Sequence, residues 1–152
     1  MPDPGSSHSN DDTWSLAEGR EEGRRLLFRV RDQTPPGIQP KDYPILLNIY
    51  WRFQDSDNDG MPSSPTLARM RELEETSDEL EPAGHGFLTL SITGNQRKEW
   101  IWYIRDQGQF MIEVNRVLAG HNPFPIEFQT QLDSEWLSHK SLIDRINESR
   151  KP

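Results

Sequence analysis

The chain has 152 residues, 17 Lys and Arg against 25 Asp and Glu for a net charge of −8, and 32% apolar side chains, which suits one domain with a modest core. It contains no Cys, so disulfides and thiolate chemistry are excluded, and no apolar run approaches the roughly 18 residues of a membrane-spanning helix. The carboxylate excess also argues against nucleic acid as a partner, because phosphates call for a basic stripe.

Residues 1–12 are Pro, Gly, Ser, Asn and Asp around His8 and bury too little to offset ordering, so they read as a disordered tail. They have neither the basic start nor the apolar stretch of a secretory leader, so the expected location is cytoplasmic. Residues 13–147 read as one domain and 148–152 as a short tail. Trp14 opens the folded part, and Arg24–Asp32 forms a short strand pairing back on Trp14–Leu16. Residues 33–40, with three prolines and a glycine, are a connection.

The clearest strand follows, with Ile45, Leu47, Ile49, Trp51 and Phe53 on one face and Leu46, Asn48, Tyr50 and Arg52 on the other. Residues 54–64 are turn formers, and Ser64-Pro65 reads as the cap and first position of a helix. Its stripe is Leu67, Met70, Leu73 and Leu80, ended by Pro82 and Gly84. Phe87–Thr93, with Leu88, Leu90 and Ile92 on one face, and Glu99–Arg105 alternate about Gly94-Asn95 as a hairpin. Asp106 caps a second helix with Phe110, Met111, Val114, Val117 and Leu118 on its stripe; Gly120 and Pro123 end it. Ile126–Leu132 alternates as a last strand, and Asp133 caps a last helix carrying Trp136, Ile143 and Ile146.

From residue 43 the order is β-α-β-β-α-β and then a helix. The expected class is therefore α+β, a ferredoxin-like split βαβ. Two helices cover one face of a four-stranded antiparallel sheet, with N-terminal strands and a C-terminal helix appended.

Several short motifs stand at these junctions: Tyr43-Pro44, Gly60-Met61-Pro62, Glu99-Trp100 through Tyr103, Phe110, Pro125-Ile126-Glu127 and Asp133-Ser134-Glu135-Trp136. Together they resemble the bacterial family named domain of unknown function 695, over about residues 13–147. That family is distantly similar to the regulator-of-ribonuclease-activity B family, ferredoxin-like proteins that bind and inhibit an RNA-degrading enzyme. The resemblance implies the fold and a regulatory binding role, and supplies no catalytic residue.

Charge is uneven along the chain. Asp55, Asp57, Asp59, Glu72, Glu74, Glu75, Asp78, Glu79 and Glu81 fall between residues 55 and 81, with only Arg69 and Arg71 against them. The plain reading is a solvated helix face; the functional one is a docking surface for a basic protein. The expected function is a non-enzymatic protein-binding module without cofactor or metal, in the manner of a nuclease regulator or a toxin-neutralising immunity protein. Asp55–Gly60 matches the first half of a calcium loop, but Thr66 stands where the bidentate Glu belongs and a strand enters the loop, so a polar turn is favoured. His8, His85, His121 and His139 have no metal spacing among them.

The second sheet face is expected to show Asn48, Tyr50, Arg52, Thr89, Ser91, Ile101, Tyr103, Arg105, Glu127 and Gln129. Tyr50, Arg52, Tyr103, Arg105 and Glu127, with Glu99, are the residues an enzyme of unfamiliar type would use if they converged in a pocket. An open aromatic face would instead suit RNA, against the charge. Burial under the last helix is the favoured alternative, because Trp136, Ile143 and Ile146 need a surface to cover. Trp51, Trp100 and Trp102 read as core. Trp14 and Trp136 lie at the ends of the fold, where an exposed Trp beside Arg would serve as an interface anchor.

Overall fold

A computed structural model describes residues 13–54 and 59–150. The strands are β1 (Trp14–Glu21), β2 (Arg24–Arg31), β3 (Ile45–Arg52), β4 (Gly86–Gly94), β5 (Arg97–Ile104) and β6 (Ile126–Leu132), and the helices α1 (Ser64–Ser77), α2 (Gln107–Leu118) and α3 (Leu137–Ser149). All six strands join one antiparallel sheet in the order β1-β2-β4-β5-β3-β6.

This α+β architecture corrects the expectation of a four-stranded sheet. The N-terminal hairpin continues the sheet, because β2 pairs with β4 from Leu26 opposite Gly94 to Val30 opposite Leu90. Leu26, Phe28 and Val30 face one side, and the backbone groups between them need a ladder partner that β4 supplies. Gly94 permits the approach: at φ +145°, a Cβ there would stand 2.2 Å from the Arg25 carbonyl oxygen.

The first face carries the main core. Leu47, Ile49 and Trp51 of β3 and Trp100, Trp102 and Ile104 of β5 pack under Met70 and Leu73 of α1 and Phe110, Val114 and Val117 of α2. Each large apolar side chain buried there contributes about 1.5–3 kcal/mol. α1 begins one residue earlier than the sequence suggested: Ser63 is the cap, its hydroxyl accepting from the Thr66 N–H at 3.4 Å. The Asp106 carboxylate accepts from Gln109 N–H at 2.7 Å and caps α2 as expected.

A bulge in β4 overturns one part of the expected pattern. Leu88 stands opposite Trp102 but Leu90 opposite Ile101, so Thr89 is an extra residue, its hydroxyl donating to the Ile101 carbonyl at 3.0 Å. One inserted residue inverts the parity of all that follows. Leu88 therefore joins the first face, while Leu90 and Ile92 join the second. Thr89 is buried, and Ser91 lies opposite Trp100 on the first face, so neither is displayed on the second.

On that second face α3 lies over Val30 and Leu90, contributing Ile146 with Leu142 and Ile143. Its start is fixed by Trp136, which precedes the helix in a left-handed conformation (φ 57°, ψ 39°) costly for a side chain of that size. Burial and bonding offset the cost. The indole is fully buried, stacks on Tyr103 at 4.3 Å and donates its N–H to the Tyr43 carbonyl at 2.9 Å.

Asp133 accepts from the Tyr103 hydroxyl at 2.7 Å and from the N–H groups of Leu137 and Ser138 at 2.9 and 3.1 Å, so it caps α3 from four residues upstream. Burial works to raise the Asp133 pKa, but these donors outweigh it and hold the carboxyl below the usual range. Burial, then the Asp133 carboxylate, pushes the Tyr103 hydroxyl well above its ordinary value.

Trp136→Ala is expected to remove about 3–5 kcal/mol from the unfolding free energy, as large-to-small changes in packed cores do. Urea denaturation followed by circular dichroism checks this; a loss under about 1 kcal/mol would contradict the anchoring role.

Candidate functional site

Because the sheet is wider than its helical cover, a step forms on the first face. α1 lies over β3 and β5. The hairpin's residues on that face, Trp14, Leu16, Leu27 and Arg29, lie beyond it. Between the end of α1 and the hairpin runs a cleft of about 540 Å³. Leu73, Glu74, Ser77, Asp78, Glu81 and Pro82 line its helix side, Trp14, Arg29 and Arg31 its hairpin side, and Leu88, Ser91, Lys98 and Trp100 its floor.

The charges in the cleft are ordered. Arg31, with only 5% of its side chain exposed, pairs with Glu81 at 3.0 Å; Glu81 also accepts the Leu88 N–H at 2.8 Å. Glu74 accepts from Lys98 at 3.1 Å and from the Trp100 indole N–H at 2.9 Å. The Arg29 and Arg31 guanidinium groups lie 4.1 and 4.8 Å from the Trp14 ring centre, so the ring is gripped by cation–π contacts. Trp14 is half-buried beside an exposed Arg29.

The acidic residues singled out from sequence are not gathered on one surface. Asp55 and Asp57, with the first part of the calcium-like loop, lie outside the described residues. Asp59 is exposed, and Gly60 packs so tightly that a Cβ would lie 3.0 Å from the Asn95 backbone, which accounts for that glycine structurally. Glu72 pairs with Arg69 and His121, each at 2.7 Å, and Glu79 with Arg116 of α2 at 2.9 Å; both turn toward α2. Glu74, Asp78 and Glu81 face the cleft, and Glu75 faces solvent. Four of the seven described carboxylates are thus in ion pairs with the chain's own side chains. The His121 and Arg69 contacts, led by the histidine, lower the Glu72 pKa.

The candidate sheet-face residues divide into two ends. Tyr50 and Arg52 border an open depression of about 850 Å³ that also includes Glu21, Asn95, Arg97 and Glu99. Arg52 pairs with Glu127 at 3.1 Å. Glu99 is buried, held by the Asn48 amide at 2.9 Å and Arg97 at 2.8 Å. Burial, then the Glu99 carboxylate, raises the Tyr50 pKa. At the other end Tyr103 is sealed under Trp136, and Arg105 donates to the Tyr43 hydroxyl at 2.8 Å. The five do not converge, and α3 occupies part of the face an RNA-binding sheet would need.

Among the described residues no group of three His, Cys, Asp or Glu is placed to hold a metal ion. His121 bridges Glu72 and the Thr76 hydroxyl, at 2.7 and 3.1 Å, outside both cavities. His85 lies 3.7 Å from Glu113. His139 is buried, its Nε2–H donating to the Arg31 carbonyl at 2.7 Å.

Sequence reading missed Trp14, Arg29, Arg31 and Lys98 as neighbours. The available signal was Trp14 and Leu16 alternating on one side of a strand, and Arg29 and Arg31 on one side of the next. What joins them to α1 is the β2–β4 pairing, which no local pattern carries.

The chain belongs to a family of unknown function, DUF695, whose model matches residues 12–142. No curated protein and no solved structure matches it. No helix among the described residues is long and apolar enough to cross a membrane.

Burial depresses the His139 pKa below its ordinary 6.5, against the pull of the Arg31 carbonyl. The unfolded chain therefore takes up this proton first as pH falls through about 6.5, and folded stability drops. Urea midpoints measured from about pH 8 to about pH 5 are expected to decline more steeply for the wild type than for His139→Gln. Equal slopes would show that His139 stays hydrated or charged in the fold.

Proposed function

We propose that the protein is a non-catalytic protein-binding module whose cleft between α1 and the N-terminal hairpin receives a segment of a basic partner. The observation that carries this reading is the cleft itself. Trp14 and Leu88, both partly buried, offer apolar surface, while Asp78 inside and Glu75 outside present carboxylates for which the described residues show no ion pair. Both stand at the negative end of the α1 dipole, whose last turn has no basic residue, and that end favours an incoming cation. The Glu79–Arg116 pair, more than half exposed on both sides, is weak enough for a basic partner to compete for it.

The docking surface is thus narrower than the whole acidic stretch. Glu72, Glu74 and Glu81 serve the fold first, and Glu75, Asp78 and Glu79 remain for a partner. Within the sheet, the order β6-β3-β5-β4 with α1 and α2 as the crossovers supports a ferredoxin-like split βαβ core extended by the hairpin. On that core the role fits a small acidic blocker, such as a nuclease regulator or an immunity protein in a bacterial cytoplasm.

Selection of random displayed peptides on the immobilised chain tests the reading. Enriched peptides are expected to combine Lys or Arg with an aromatic or large aliphatic residue. Their affinity is expected to fall about tenfold or more on Glu75→Lys with Asp78→Lys. No enrichment, or binders indifferent to both changes, would contradict it.

A further inference from the structure

The hairpin side of the cleft carries the opposite sign. On its first face Arg20, Arg25 and Arg29 are exposed against Glu18, which pairs with Arg25 at 3.2 Å and leaves Arg20 and Arg29 in excess, with Leu16 75% and Leu27 38% exposed among them. A few residues away, Glu75 and Asp78 stand exposed at the end of α1. One molecule thus carries a basic, partly apolar shelf and an acidic ledge side by side across one cleft. That is the requirement for an isologous interface, where each patch meets its opposite on the other copy.

We infer that the partner is a second copy of this chain, docked about a two-fold axis near the cleft, each ledge on the other's shelf. This rests on the reading of the cleft as a protein-binding site and names its occupant. Leu16 and Leu27 form the apolar centre of the contact, and the arginines and carboxylates set its register. Face-to-face docking is favoured over strand addition, because Arg150 donates to the Leu16 carbonyl at 2.8 Å and places a charged side chain against the outer edge of β1. At −8 per chain the copies repel elsewhere, so attraction arises only where the patches meet.

Sedimentation velocity on the full chain at low salt tests the proposal with two variants. One reverses the shelf, Arg25→Glu with Arg29→Glu; the other reverses the ledge, Glu75→Lys with Asp78→Lys. The wild type is expected to dimerise with rising concentration, and each variant alone to dimerise about tenfold or more weakly, since both of its contacts now join like charges. Mixing the variants is expected to restore a dimer. The acidic shelf of one meets the basic ledge of the other, and the remaining shelf and ledge are native. Misfolded variants could not produce that rescue. A wild type that stays monomeric, or a mixture that stays monomeric, overturns the inference; peptide binders that still depend on Glu75 and Asp78 would then leave the binding-module reading standing without it.

Discussion

The pairing of β2 with β4 is the constraint from which the molecule's surface follows. It widens the sheet by two strands while α1 and α2 stay over β3 and β5. The extension exists because the carbonyl of Arg25 fits where Gly94 has no side chain. One face of the added strands is sealed by α3, through Val30, Leu90 and Ile146. The other is left bare, and the edge of α1 turns that bare step into a cleft.

The polar groups bordering the cleft divide the acidic stretch into carboxylates bound to the chain's own side chains and carboxylates that are not. Glu81 ties the turn after α1 to β2 through Arg31 and to β4 through the Leu88 N–H. Glu74 ties α1 to β5 through Lys98 and Trp100. These bonds fix α1 and the turn after it to the strands that floor and wall the cleft. Glu75 and Asp78 do neither, and they sit where the helix dipole disfavours anions.

Much of the architecture was legible locally. The period-two runs of Ile45–Phe53 and Glu99–Arg105 placed β3 and β5 and the side each residue faces. Gly120 and Asp106 marked the ends of α2; Asp133 does bond the first amides of α3, but the N-cap position belongs to Trp136, three residues later than the sequence suggested. The reading broke at Thr89, since a bulge leaves no trace in hydrophobic alternation. It broke again at the hairpin, where the expected Trp14–Leu16 pairing extends to Glu21 and the partner of β2 lies some sixty residues onward. Charge counting found the acidic stretch but not its directions, because Arg31, Lys98, Arg116 and His121 come to it from distant parts of the chain.

Amide hydrogen exchange along β2 tests this account most directly. If β2 is an inner strand between β1 and β4, the hydrogen-bonded amides between Leu26 and Val30 exchange as slowly as those of β5, through global unfolding. Exchange of these amides at the pace of loops, with β5 still protected, would mean that the hairpin is not part of the sheet and that the cleft it walls does not exist.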